Sequence, residues 1–283
     1  MDQESAFVKD TQRTRLYREV VASDARRPRT APQVPRWLAD RHRELAVGDL
    51  VDVEPETVDV VRRARRGPAW SALVEGAGFE LAGPHRLRRL DSLPDFIGPA
   101  MRVLVIGLNP SPAAAAAGIG FARPGNRFWP AALAGGLVSR DRQPIHALDH
   151  HGVGFSDIVK RTTRRADDLS RQEFEAGIGR LHGLCRWLRP DSCLMIGLAG
   201  WRAAVDRRSV AGWQDIDLGG RPVYLMPSTS GLNAASSLDE LTEHLATVAA
   251  ATVGASVSSA ARSAPDDPAV DRTDEQPRIS GHD

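Results

Sequence analysis

The feature that most constrains the fold is a repeating order of short apolar runs and longer amphipathic stretches in the second half of the chain. Residues 102–106 form a β-branched run, residues 192–196 read as a buried strand and 222–225 as another, and Gly152-Val153-Gly154-Phe155 reads as a strand or loop. Between them the apolar residues fall at helical spacing. One such segment carries Phe128, Trp129 and Leu133, with Asn126 placed to cap it and Pro130 tolerated in its first turn. Another spans residues 170–188, where Ser170 followed by Glu173 is a capping-box signature. A short helix is expected near residues 201–205, and a last one from about Ser237 to about Ala250. Strands separated by helices require a parallel sheet covered on both faces. The expected class is α/β, a three-layer α/β/α arrangement around a mostly parallel sheet. Functional residues then belong at the carboxyl ends of the strands.

A chain of 283 residues holds one main core plus tails. No run approaches the roughly 18 apolar residues that span a bilayer, and the opening MDQESAFVKDTQR lacks the order of a secretory signal. The expectation is a cytoplasmic protein, associated with the nucleoid if bacterial, with no membrane partner. Cys185 and Cys193 are the two cysteines and form no CxxC pattern, which excludes a disulfide framework, a four-cysteine zinc site and a four-cysteine iron–sulfur cluster. His146 and His150 have the i,i+4 spacing of a metal pair but lack a third ligand or an HExxH context. No metal and no cofactor are expected.

Residues 1–92 read as an Arg-rich, partly helical and loosely organised extension interrupted by Pro28, Pro32 and Pro35, with no assignable chemistry. Its clusters Arg62-Arg63 with Arg65-Arg66, and Arg86 with Arg88-Arg89, read as solvated faces offset by the acidic residues between 49 and 59 rather than as nucleic-acid contacts. The working domain is placed at residues 93–251. Residues 252–283 collapse to Ser, Ala, Asp, Pro and Arg and read as a disordered tail.

Two loops leave strands at the end where a site is expected, Gly107-Leu108-Asn109-Pro110-Ser111 and Met226-Pro227-Ser228-Thr229-Ser230-Gly231-Leu232-Asn233. The first is not a phosphate-binding loop, since the GxxxxGK[ST] spacing and its lysine are missing. No serine sits in a GxSxG nucleophile elbow.

These loops carry a resemblance. GLNPS at 107–111, FARPGNRFW at 121–129, GVGFSDIVKRTTRRADDLS at 152–170 and MPSTSGLNA at 226–234 occur in the order found in the mismatch-specific uracil- and thymine-DNA glycosylases of the uracil-DNA glycosylase superfamily. The resemblance covers roughly residues 90–250. It implies a glycosylase fold and a monomeric enzyme that acts on double-stranded DNA with G·U or G·T mismatches, flips a damaged pyrimidine out and leaves an abasic site. Within it, Asn109 takes the catalytic role of orienting the attacking water. Leu108, Phe121 and Ser228 fall at base-binding positions, and Gly231, Leu232 and Asn233 at the wedge that fills the vacated stack. Ser111-Pro112 departs from the usual Gly-Leu. Ser228-Thr229 replaces Asn-Pro, and Ser228 and Ala114 both match the thymine branch.

The residues support such chemistry independently. Breaking an N-glycosidic bond builds positive charge on the sugar and negative charge on the departing base, so a water aimed at C1′ suffices as nucleophile. An amide carbonyl can accept from that water without a charge of its own. Phe121 suits a stacking floor, backbone N–H groups around Leu108 and Phe121 suit the pyrimidine edge, and Leu232 suits an apolar wedge. A lyase mechanism would need an amine nucleophile, and neither lysine, Lys9 or Lys160, lies in a site loop. The enzyme is therefore expected to be monofunctional. The competing expectation is a protein that binds damaged DNA or abasic sites with little turnover.

Overall fold

The computed structural model describes residues 27–64 and 67–261, so Lys9, the Arg65-Arg66 pair and the tail beyond Ala261 lie outside the described residues. A five-stranded sheet in the order β5-β4-β6-β8-β7 organises the second half of the chain. Its strands are β4 (Val103–Gly107), β5 (Val153–Asp157), β6 (Ser192–Ile196), β7 (Gly212–Trp213) and β8 (Val223–Met226). All pairings are parallel except β7 with β8, which is antiparallel at one edge. The expected mostly parallel α/β class is observed.

Alternation along each strand divides the core into two layers. Leu104, Ile106, Cys193, Met195, Val223 and Leu225 belong to one apolar cluster. Val103, Val105, Leu194, Ile196, Tyr224 and Met226 belong to the other. After the short α4 (Pro112–Ala117), the second face is covered by α5 (Phe128–Ala134), α6 (Pro144–His151) and α9 (Leu238–Ala261), through residues such as Trp129, Ala147 and Leu245. The first face is covered by α7 (Arg171–Leu188) and α8 (Ala199–Ala204), through residues such as Leu181 and Trp201. Strands buried on both faces explain why their sequences read as apolar runs without alternation.

Local signals hold where they were strongest. The Ser170 hydroxyl accepts from the Glu173 N–H at 3.2 Å while the Glu173 carboxylate accepts from the Ser170 N–H at 2.9 Å, closing the capping box of α7. Asn126 misses the expected capping position by one residue: Arg127 is the N-cap of α5 and makes no side-chain cap bond, while Asn126 Oδ1 accepts from the Phe128 N–H at 2.9 Å just outside the helix. The last helix ends at Ala261, well past the expected Ala250, because an Ala- and Ser-rich stretch keeps its helical hydrogen bonds as long as no proline intervenes.

The described part of residues 1–92 is more ordered than its sequence indicates. It holds α1 (Val34–Glu44), α2 (Pro55–Arg62), α3 (Trp70–Gly76) and a three-stranded antiparallel sheet, β1 (Leu50–Asp52), β3 (Arg86–Arg89) and β2 (Phe79–Gly83) in spatial order. Its apolar residues Leu38, Val58, Phe79 and Leu87 join the same cluster as Leu104 and Ile106. Phe96 then bridges to Phe155 on the edge strand of the main sheet. Among the described arginines of the basic clusters, Arg62 and Arg63 pair with Asp59, Arg86 with Asp52 and Arg88 with Glu80, while Arg89 donates to the His42 carbonyl at 2.9 Å.

Candidate active site

The chain leaves β4, runs to β5 on one side and later to β6 on the other, so the sheet order reverses at β4. Crevices of open α/β sheets form outside the strand ends at such a point. Here the crevice is a cavity of about 220 Å³. It is lined by the loop after β4 (Leu108, Asn109), by Phe121, by Asp157 at the end of β5, and by Ser228 after β8.

Asn109 is held by its nitrogen. Its Nδ2 donates to the Arg161 carbonyl at 3.0 Å and to Thr163 Oγ1 at 2.8 Å, with a longer contact to the Pro110 carbonyl at 3.2 Å. The Thr163 hydroxyl spends its only proton on the Arg165 carbonyl at 2.8 Å, so toward Asn109 it can only accept. A flipped amide would set oxygen against oxygen at both contacts. The network therefore assigns Oδ1 as the acceptor that Asn109 offers at the cavity. The Arg161 that supplies this carbonyl is fixed in turn by Glu173, at 2.7 and 3.1 Å. Hydrogen bonding from Arg161 holds the Glu173 carboxyl down at about 2.

Phe121 lies at φ 59°, a left-handed conformation that is a genuine outlier for a bulky aromatic and costs of order 1–3 kcal/mol. Its ring stacks on Phe128 with centroids 4.4 Å apart, and Trp129 Nε1 donates to the Gly120 carbonyl at 2.9 Å, fixing the approach. Gly107 keeps the floor open: a Cβ there would stand 2.4 Å from Asp157 Oδ1 and 3.4 Å from Phe121 Cζ. Neither the Leu108 nor the Phe121 backbone N–H donates to another group among the described residues. Both remain available to a ligand edge.

Asp157 was not among the residues that the sequence singled out, although a carboxylate closing an apolar strand at the sheet's carboxyl end is itself a signal. It is buried, and burial pushes its carboxyl above the usual range against the pull of Lys160, whose Nζ is 3.6 Å away. Lys160 Nζ also donates to Asp95 Oδ1 at 2.8 Å, and Arg180 reaches Asp95 Oδ2 at 2.8 Å and the Asp157 carbonyl at 2.6 Å. Lys160 thus stands behind the cavity wall with its ammonium between the Asp95 carboxylate and the Asp157 carboxyl group.

The loop after β8 divides between cavity and surface. Ser228 faces the cavity. Leu232 is 80% exposed. Asn233 turns inward: its amide donates to the Ser228 carbonyl at 2.8 Å and its Oδ1 accepts from the Ala235 N–H at 3.2 Å. Gly231 lies against Gly125, whose carbonyl oxygen a Cβ at 231 would approach to 2.7 Å. The His146 and His150 rings lie 4.2 Å apart with a tilt of 36°, and no group of three potential ligands for a metal ion occurs among the described residues.

The family model for the uracil DNA glycosylase superfamily matches residues 94–250, more than half of the chain. The chain belongs to the uracil DNA glycosylase superfamily. Members act on DNA as glycosylases, a class of hydrolase. The matched span contains Leu108, Asn109, Phe121, Asp157 and Ser228, and it begins shortly after β3 ends at Arg89. Among solved structures, a candidate uracil DNA glycosylase from Methanosarcina acetivorans, determined by NMR in solution, is 20% identical with a TM-score of 0.42. The likeness covers 56% of this chain and 96% of that one. No helix among the described residues is long and apolar enough to cross a membrane.

Proposed function

We propose that this chain is a monofunctional glycosylase that flips uracil, and thymine or related damaged pyrimidines, out of G-mismatched duplex DNA and hydrolyses the N-glycosidic bond. The observation that carries the reading is the fixed orientation of Asn109, an uncharged acceptor held at the mouth of a base-sized cavity. The flipped base stacks on Phe121, and its edge meets the free N–H groups of Leu108 and Phe121, the Ser228 hydroxyl and the Asp157 carboxyl. Asn109 Oδ1 accepts from a water aimed at C1′. The C1′–N1 bond breaks with its electron pair leaving on the base, the water oxygen bonds to C1′, and the proton that the water loses is taken up by the departed base anion. Donors already in place stabilise the charge on the base without reorganisation. Leu232 occupies the gap left in the stack. Ser228 and Ala114 favour a pocket that tolerates more than uracil, and the absence of a lysine from the cavity wall favours hydrolysis over lyase chemistry.

The test is incubation with 5′-labelled duplexes bearing G·U, G·T, A·U, G·hypoxanthine or G·ethenocytosine, followed by alkali. Alkali-labile sites are expected with G·U at least. Tight binding to an abasic duplex with no labile site on any substrate would instead establish a damage-binding protein.

A further inference from the structure

We propose that Arg127 is a positioning residue that holds the wedge loop against the base cavity and so couples insertion of Leu232 to capture of the flipped base. The inference rests on reading that loop as the wedge. An exposed loop that presses into stacked bases must resist being pushed back, yet residues 227–237 contain no helix or strand of their own. Their carbonyls converge on one side chain. Arg127 Nη1 donates to the Ser236 carbonyl, and Nη2 to the carbonyls of Asn233 at 2.7 Å and Ser230 at 3.2 Å. The Arg127 backbone N–H adds a bond to the Thr229 carbonyl at 2.9 Å. A planar guanidinium can hold several acceptors in fixed directions at once, which an ammonium on a flexible stem does poorly.

This guanidinium is held by backbone carbonyls of one loop. No carboxylate pairs with it among the described residues, and its Nε is buried without a hydrogen bond. A cation enclosed by carbonyls of a single loop serves to organise that loop rather than to form an ion pair. The chain around it ties the loop to the cavity. Within eight residues, Phe121 forms the floor, Gly125 lies against Gly231, Arg127 grips residues 230–236, and Phe128 stacks behind Phe121. A force on Leu232 is thus carried to the floor through one short, packed segment. Asn233 contributes from within the loop by bonding the Ser228 carbonyl.

The test compares single-turnover excision from a G·U duplex and from single-stranded uracil DNA in wild type, Arg127→Met, Arg127→Lys, Leu232→Ala and the double variant Arg127→Met/Leu232→Ala. Arg127→Met is expected to lose about tenfold more on the duplex than on the single strand, since only the duplex must be held open. In the Leu232→Ala background the same change should cost less than about threefold further, because the two residues act through one event. Arg127→Lys should recover only a minor part of the loss. Gly231→Ala, which displaces the loop without touching Arg127, should reproduce the duplex-selective defect. Equal losses of Arg127→Met on both substrates, full additivity with Leu232→Ala, or full rescue by lysine would each overturn the role. Inactivity of the wild type on every uracil substrate would refute the proposed function itself, a result distinct from all of these.

Discussion

An amide has a donor end and an acceptor end, and Asn109 has had its donor end consumed by the Arg161 carbonyl and Thr163. The side chain is thereby prepared to accept, which is the half needed to orient a water. Asn109→Ala is expected to lower the single-turnover excision rate by about 10²-fold or more, the scale of one preorganised polar group. Affinity for a duplex carrying an uncleavable uracil analogue should change by less than about tenfold, roughly 1.4 kcal/mol. An unchanged rate with an unchanged circular dichroism spectrum would make Asn109 a turn residue. At Asp157 the titration gives a second prediction. Its carboxyl is raised by burial, so the neutral form is favoured in the fold; its contribution to stability is complete below the ordinary carboxylate range and is lost as pH rises through the raised value. Asp157→Asn should therefore raise the melting temperature more at about pH 8 than at about pH 4. It should also remove one ionisation from the pH profile of the excision rate. An equal thermal effect at both pH values would contradict the assigned direction.

At the scale of elements, the site is made of loops whose backbones are held by neighbouring structure. Leu232 stands out into solvent from such a loop, and Leu232→Ala should lower excision from duplex DNA by about tenfold more than from single-stranded DNA, since re-stacking opposes only the former. A uniform loss would make it a packing residue. The opposite wall depends on the N-terminus of α7. Glu173 caps that helix and also grips Arg161, whose carbonyl holds Asn109. The depressed Glu173 carboxyl supports this corner above the ordinary carboxylate range, and the support is lost as pH falls through about 2. Glu173→Gln is expected to slow excision severalfold at neutral pH while leaving affinity for the substrate analogue nearly unchanged. A fall in affinity equal to the fall in rate would show that the corner serves binding.

At the scale of the molecule, the N-terminal sheet and helices complete one face of the core. Leu38, Phe79 and Leu87 pack in the cluster that includes Leu104 and Ile106. Asp95, just after this region, anchors Lys160 and Arg180 behind the cavity wall. Burial raises the Asp95 carboxyl, but Arg180 and Lys160 more than reverse this, so the network weakens on acidification through the lowered value. Leu38→Ala should cost about 2–5 kcal/mol in urea unfolding, the range for a buried leucine. It should do so in a single transition reported equally by probes in both halves of the chain. Two separate transitions would show that residues 27–92 and the main sheet fold independently.

The sequence by itself determined the α/β class, the places of the main strands along the chain, the start of α7, and the two loops that carry Asn109 and Leu232. Apolar runs, capping residues and turn residues are local signals, and each acts within a few residues of the chain. Only the tertiary structure decided which groups meet in the cavity. The orientation of Asn109 depends on Thr163, and the grip on the wedge loop depends on Arg127, more than a hundred residues before Ser230 and Asn233. Asp157 reaches the cavity because the sheet reverses its order at β4. The N-terminal region looked loosely organised because its short elements are interrupted by proline and charge. Its apolar residues become a core only against the face of a sheet formed later in the chain, and burial against a distant surface leaves no periodic signal in the sequence that supplies it.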